Sequence, residues 1–178
     1  MRNRLLTIGG LIILAGLSRL LPHPGNMTPV AAMAIFGGFY FQDKRAAFII
    51  PIFSLFLSDM LIGFHSLMIV VYACFLFSVW LGYQLRKRNN LAILYAGSLL
   101  NSIIFFIVTN LGVWLVDHMY PMTPHGLWTC YAAALPFFRN QMLGDLLYLT
   151  LLVGSFGMLQ ALVPSLKGKA ESAHSTAS

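Results

Sequence analysis

Long apolar runs, separated by short polar or proline-rich breaks, fill most of the chain. Runs of this kind predict transmembrane helices of about 20 residues each. Six are predicted, over about 4–21, 28–42, 45–63, 66–86, 90–117 and 139–163. The first stops at Pro22-His23-Pro24-Gly25, a strong breaker run, and the last at Pro164. A connection over 118–138, with Pro121, Pro124 and Pro136, separates the last two, and its stretch Leu127–Leu135 is expected to form a short helix lying at the membrane surface. From Ser165 onward the chain is rich in Ser, Ala and Lys, which predicts a disordered cytoplasmic tail over 165–178 beside a single membrane domain over 1–164.

The basic residues give this pattern an orientation. Arg2 and Arg4 precede the first run, Lys44 and Arg45 join the second and third, and Arg86, Lys87 and Arg88 join the fourth and fifth. Lys167 and Lys169 follow the sixth. With six alternating spans these nine of the eleven Lys and Arg fall on one side, which predicts cytoplasmic N- and C-termini. Five or seven spans break the pattern. The start, Met1-Arg2-Asn3-Arg4 and an apolar stretch, has the form of a signal peptide. Arg19 and Leu20 stand where a small-x-small cleavage site is needed, so the run is expected to stay as the first helix.

Composition supports the same class. Charged residues are 9% and hydrophobic residues 58% of the 178, against about 25% charge in soluble domains. The net charge of +6 is dispersed in small groups between apolar runs, which argues for a lipid bilayer and against nucleic acid as the partner. Cys74 and Cys130 are too few for a disulfide framework. There is no phosphate-cradling loop, no HExxH, no Gly-x-Ser-x-Gly and no paired CxxC, so no ATP hydrolysis is expected of this chain.

The predicted topology collects the remaining polar residues at the outer side. His23, His65, His118, His125, Arg19, Arg139, Asp59, Asp117, Asp145, Thr109 and Asn110 all fall there. A charge inside a span costs roughly 2.5–3.5 kcal/mol on insertion scales and persists where it pairs or lines a wet cavity. Asp59 is expected about one turn inside its helix and Asp145 nearly two, with Arg19 and Arg139 as the natural partners. Two readings stand together: a polar chamber open to the outside, or ion pairs that only lock the bundle. The aromatics Trp114, Tyr120, Trp128, Tyr131, Phe137 and Phe138 read as an interfacial belt or as a lid over a flat ligand. The histidine spacings match no compact metal motif, and loop histidine is the plainer reading. Cys74 falls about eight residues into its span, either as a small buried hydrophobe or, as thiolate at the chamber floor, as a ligand for a soft metal. Ala34-x-x-x-Gly38 marks a face where helices approach closely.

Several stretches together resemble a known family. Arg19-Leu20-Leu21-Pro22-His23-Pro24-Gly25-Asn26-Met27-Thr28-Pro29 and the small-residue run after it are similar to the opening of small bacterial membrane proteins related to the substrate-binding (S) components of energy-coupling-factor (ECF) vitamin transporters. The resemblance continues through Leu57-Ser58-Asp59, Thr109-Asn110-Leu111-Gly112-Val113-Trp114, Cys130-Tyr131, Leu135-Pro136-Phe137-Phe138-Arg139-Asn140 and Gly144-Asp145-Leu146. Cys74, in Val71-Tyr72-Ala73-Cys74-Phe75, resembles the cobalamin-transporting, BtuM-like branch. The resemblance implies an all-α six-transmembrane-helix bundle in the bacterial cytoplasmic membrane that binds and takes up vitamin B12 or a related corrinoid. Cobalamin is the transported ligand, bound base-off with Cys74 as axial ligand to its cobalt. Tyr72, Asp59, Asp145, Arg19, Arg139, His23, Asn110 and Tyr131 are the implied chamber residues. A thiolate on cobalt donates electron density to it and loosens the opposite axial ligand, so Cys74 would also assist decyanation. S components that dock on a shared ATPase module carry Ala-x-x-x-Ala on their first helix; here Arg19 stands at that spacing from Ala15, so docking on that module is not expected. Two alternatives stay open: an S component for another vitamin or precursor with Cys74 only packed, and a structural membrane protein.

Overall fold

The structure, a computed structural model, describes residues 2–166. Its six helices are α1 (Arg2–Leu17, extended by a 3-10 turn over Ser18–Leu20), α2 (Val30–Tyr40), α3 (Lys44–Ile62), α4 (Met68–Leu85), α5 (Leu91–Gly112) and α6 (Pro124–Leu162). A π-helical turn, Val113–Asp117, prolongs α5. No strand occurs among the described residues. Five of the helices are long and apolar enough to cross a membrane, as in a multi-pass membrane protein; α2 is the exception.

Local chemistry sets the helix starts. Asp43 accepts from the Ala46 amide at the start of α3, and Asn90 from Ala92 and Ile93 at the start of α5. Thr123 accepts from Gly126, and Pro124 takes the first helical position of α6, where its missing N–H costs nothing.

The helices alternate in direction. α1 and α3 run parallel: Gly9 faces Ile50, the Ser54 hydroxyl donates to the Ile12 carbonyl at 3.2 Å, and Arg19 reaches Asp59. α5 and α6 run antiparallel, pairing Tyr95 with Thr150, Ser102 with Asp145 and Phe106 with Phe138. Two arginines tie one end together. Arg4 donates to the carbonyls of Leu166 at 2.8 Å and Tyr40 at 3.4 Å, and Arg86 to those of Phe41 and Gln42. The start of α1 and the ends of α2, α4 and α6 therefore meet there. Arg2, Lys44, Arg45, Lys87 and Arg88 belong to the same end, which we call the basic end; Lys167 and Lys169 lie outside the described residues.

Helix α2 is the centre of the bundle. Ten of its 11 residues are buried, and it packs on all five other helices. Its closest approach is to α4. A Cβ on Gly38 would overlap the Val79 carbonyl, and one on Gly82 would overlap the Ile35 carbonyl. The expected small-residue face at Gly38 is therefore the α2–α4 seam. Phe36, Phe75, Val79, Leu94, Leu149 and Phe156, all fully buried, fill the space around it.

Three expectations need correction. The second span is not a full crossing: 11 residues at about 1.5 Å each give roughly 16 Å, against a hydrocarbon core of ~30 Å. The irregular stretch after Leu20 completes the return. The connection 118–138 is mostly helix, because α6 starts at Pro124 and runs on through Pro136. A single proline removes one helical N–H donor, and contacts of Cys130, Tyr131 and Phe138 with α5 hold the segment against it. Between residues 138 and 130 of α6 the partner on α5 advances only from Phe106 to Asn110, so the arm before Pro136 leans obliquely across α5. Of the expected tail, Ser165 and Leu166 form an ordered 3-10 turn with Leu166 buried; the rest lies outside the described residues.

Gly82→Ala should lower stability by about 1–3 kcal/mol through overpacking of the α2–α4 seam. Gly10→Ala, whose Cβ would meet nothing within 4 Å, should stay within about 0.5 kcal/mol of the parent. Thermal unfolding in detergent checks both; equal effects would refute the seam.

Candidate ligand-binding site

At the end opposite the basic residues, the distal end, three elements are joined by one ion pair. Arg19 follows α1 on its 3-10 turn and points at α3, where its guanidinium donates to Asp59 Oδ1 at 2.7 Å and to the Ser58 hydroxyl at 2.5 Å. Ser58 passes its own hydrogen to the Leu55 carbonyl at 2.8 Å. From α4, the Tyr72 hydroxyl donates to Asp59 Oδ2 at 2.9 Å. Both carboxylate oxygens are thus engaged, with Asp59 buried and Arg19 nearly so. A buried charge with its partner and hydrogen bonds in place is the tolerable form of such a group.

Beside this cluster lies a cavity of about 290 Å³. Its polar lining is Arg19, Asn26, Thr28, His65, Thr109, Asn110 and Gln141; Val30, Leu67, Val71, Phe105 and Val113 complete it. Arg19 is neutralised by Asp59, so the cavity is close to uncharged. Several of its polar groups have their donors committed. Thr109 donates to the Phe105 carbonyl at 2.7 Å, Asn110 Nδ2 to that of Phe106 at 2.8 Å, and Gln141 Nε2 to that of Ser102 at 3.1 Å. Their amide and hydroxyl oxygens keep free lone pairs. The cavity therefore suits a ligand that brings N–H donors, amides above all, on an otherwise apolar body.

A family model covers residues 1–166 and carries the description family of unknown function, DUF6580. The chain belongs to the DUF6580 family. No curated protein and no solved structure matches it.

In this DUF6580 member, two of the sequence-derived site residues, Arg19 and Asn110, line the cavity. Asp59 and Tyr72 stand directly behind Arg19. The others are elsewhere. His23 is exposed on its loop, its Nδ1 2.7 Å from the Leu21 carbonyl. Tyr131 donates to the Ile107 carbonyl at 2.7 Å on the α5–α6 seam. Arg139 is exposed and does not pair with Asp145, which corrects that expectation: six residues apart on one helix, the two point to different faces. The aromatics form no lid over this cavity. Trp128 is exposed, Phe106 stacks near Phe138 and Tyr131, and Trp114 donates to the Pro121 carbonyl at 2.9 Å. No group of three metal-ligating side chains occurs among the described residues.

Cys74 is buried and unbridged. It lies one helical turn deeper than Val71, which does line the cavity, and its carbonyl accepts from Ser78 at 2.8 Å. The thiol thus sits beneath the cavity floor with Val71 above it. Sequence reasoning missed Gln141, which borders the cavity and reaches the bundle interior through Ser102. Its signal was present: Gln141 and Asp145 are four apart, on one helical face.

Arg19→Met should cost about 3–5 kcal/mol, because it strands a buried carboxylate, while adding Asp59→Leu should recover most of the loss. Unfolding in mixed micelles measures both. A double variant as unstable as the single one would show that the pair serves something other than mutual neutralisation.

Proposed function

We propose that this protein binds an amide-bearing organic solute in the distal cavity and carries it across the bacterial cytoplasmic membrane, the basic end facing the cytoplasm. The observation that carries the reading is the neutral, acceptor-rich cavity at the end opposite the basic residues. A structural membrane protein has no need of one. The positive charges favour the cytoplasmic side, so the cavity opens outward.

For the solute we propose a corrinoid, cobalamin or a close relative. Its rim of amide side chains supplies N–H donors for the oxygen acceptors that Thr109, Asn110 and Gln141 leave unmatched. Its cobalt, with the nucleotide base detached, would be taken by the Cys74 thiolate, a soft ligand. Drug-sized ligands occupy about 300–1,000 Å³ and a corrinoid is larger, so this reading requires an open state. In that state the loops over 21–29 and 63–67 part, and Val71 moves off Cys74. The small closed volume and the covered thiol favour a second reading: a smaller amide-bearing solute, with Cys74 serving only as packing.

Purified protein incubated with hydroxocobalamin separates the two. The corrinoid reading expects a coloured complex with a base-off, thiolate-ligated absorption spectrum. Cys74→Ala should lose the ligand signature and weaken binding about tenfold or more, or ~1.4 kcal/mol. A colourless protein with no heat of corrinoid binding leaves only the second reading. A cysteine placed at Lys87 should react with an impermeant thiol reagent from the cytoplasmic side alone; labelling from outside would overturn uptake through this cavity.

A further inference from the structure

The least accommodated group in the molecule is Asp145. It is 2% exposed and sits at mid-height, opposite Ser102, which is 11 residues from Leu91 and 10 from Gly112 within α5. Since α5 is about 33 Å long at ~1.5 Å per residue, that level is the middle of a ~30 Å hydrocarbon layer. No cation pairs with it among the described residues. An isolated carboxylate there is far costlier than a neutral acid.

The Gln141 amide also hydrogen-bonds Asp145, and the contact with Ser102 fits the neutral form. The Ser102 oxygen lies 2.6 Å from Asp145 Oδ2 and 3.0 Å from the Ser98 carbonyl, yet a hydroxyl has one hydrogen. With a proton on Asp145 both contacts are hydrogen bonds at once: the acid donates to Ser102, and Ser102 donates to Ser98. Without that proton only one of them can be.

A second observation concerns the route. Ser98 and Asn101 are each 1% exposed, and Ser98 Oγ and Asn101 Nδ2 have no hydrogen-bond partner among the described residues. Both lie within about one turn of Ser102. Buried polar atoms of this kind are commonly met by water, and a hydrated seam between α4, α5 and α6 is what a proton route there requires. Gln141 joins this seam to the distal cavity, lining the one and donating to Ser102 in the other. No other charge competes for Asp145. On α1, Arg19 is held by Asp59, and Arg4 is at the basic end with Tyr40 of α2. On α4, the Cys74 thiol lies one turn toward the distal end from Ser78, which reaches Asn101 at 2.9 Å. On α6 itself, Arg139 is exposed and Tyr148 is one turn on.

We propose that Asp145 is an intramembrane proton-binding site, loaded from the distal cavity by way of Gln141 and Ser102, through which a proton gradient acts on ligand binding. The site stands on its own geometry; only the identity of the coupled ligand rests on the uptake reading above. The proton moves from water in the cavity to a carboxylate oxygen of Asp145 and returns to water on release.

Infrared difference spectroscopy of the full-length protein in lipid reads the site directly. The chain has only five Asp and Glu side chains, so the assignment is clean. At neutral pH the wild type should show a protonated-carboxyl C=O band that is lost in Asp145→Asn, survives Asp59→Asn, shifts in Ser102→Ala, and converts to a carboxylate band on alkaline titration. If Asp145→Asn does not fold, the Ser102→Ala shift makes the same assignment on the native acid. Absence of the band at neutral pH overturns the proposal, and so does a band that persists at every pH the fold survives. Adding hydroxocobalamin should shift the titration of the band. A titrating band with no corrinoid binding leaves the proton site standing and sinks the corrinoid reading; corrinoid binding with no band does the reverse.

Discussion

The contact on which the bundle depends is the backbone approach of α2 to α4 at Gly38 and Gly82. Within lipid there is little hydrophobic drive between helices, and close packing of small residues takes its place. Because neither position carries a side chain, the two backbones meet, and an 11-residue helix can be enclosed by five others. The enclosure explains the rest of the architecture. A helix surrounded on every side must be apolar on every side, as Val30–Phe39 is. A helix too short to cross leaves the stretch after Leu20 irregular, and irregular backbone at that level is tolerated only where it lines a polar space. Asn26 and Thr28 belong to that stretch and line the distal cavity.

The polar groups of the interior fall into two kinds, and the difference is physical. Arg19, Ser58, Asp59 and Tyr72 make a charge-balanced, nearly closed set in which both carboxylate oxygens are met and the Arg19 Nε is left without a partner among the described residues. Such a set holds α1, α3 and α4 in register. Asp145, Ser98, Ser102, Asn101 and Gln141 make an open set, with no cation and with two orphaned polar atoms. The closed set lies near the end of the bundle, where water already weakens electrostatics. The open one lies at mid-depth, where an unmet polar group is most costly. The expensive group in the expensive place calls for a functional explanation, and the inexpensive one does not.

This contrast also marks what the sequence makes legible. The alternation of six helices follows from the spacing of the basic clusters, and Arg4 and Arg86 confirm it by binding the carbonyls of neighbouring helix ends. The Arg19–Asp59 pair follows because each is the nearest opposite charge at one end of the bundle. Asp145 is misread by the same rule: proximity in sequence pointed to Arg139, but helix periodicity turns the two apart. The extent of α6 is misread because prolines at 121, 124 and 136 look alike in sequence, although one starts the helix and another lies within it. The cavity lining comes from five separate stretches of chain, so a residue such as Val71 becomes a site residue only once the helices are packed.

The placement of Cys74 bears on how ligand and proton would meet. Its carbonyl accepts from Ser78, and Ser78 contacts Asn101, one residue from the serine that holds Asp145. A movement of α4 that uncovers the thiol, by shifting Val71 out of the cavity floor, must also displace Ser78, because both sit on the same rigid helix within two turns. Displacing Ser78 breaks its contact with Asn101 and changes the polarity around Ser102. Opening the floor and altering the surroundings of the buried acid are therefore one motion rather than two. On the two proposals made above, this is the form their coupling would take, carried by a helix and not by a chain of charges: ligand and proton would each favour one position of α4, and each would then change the affinity for the other by the same factor.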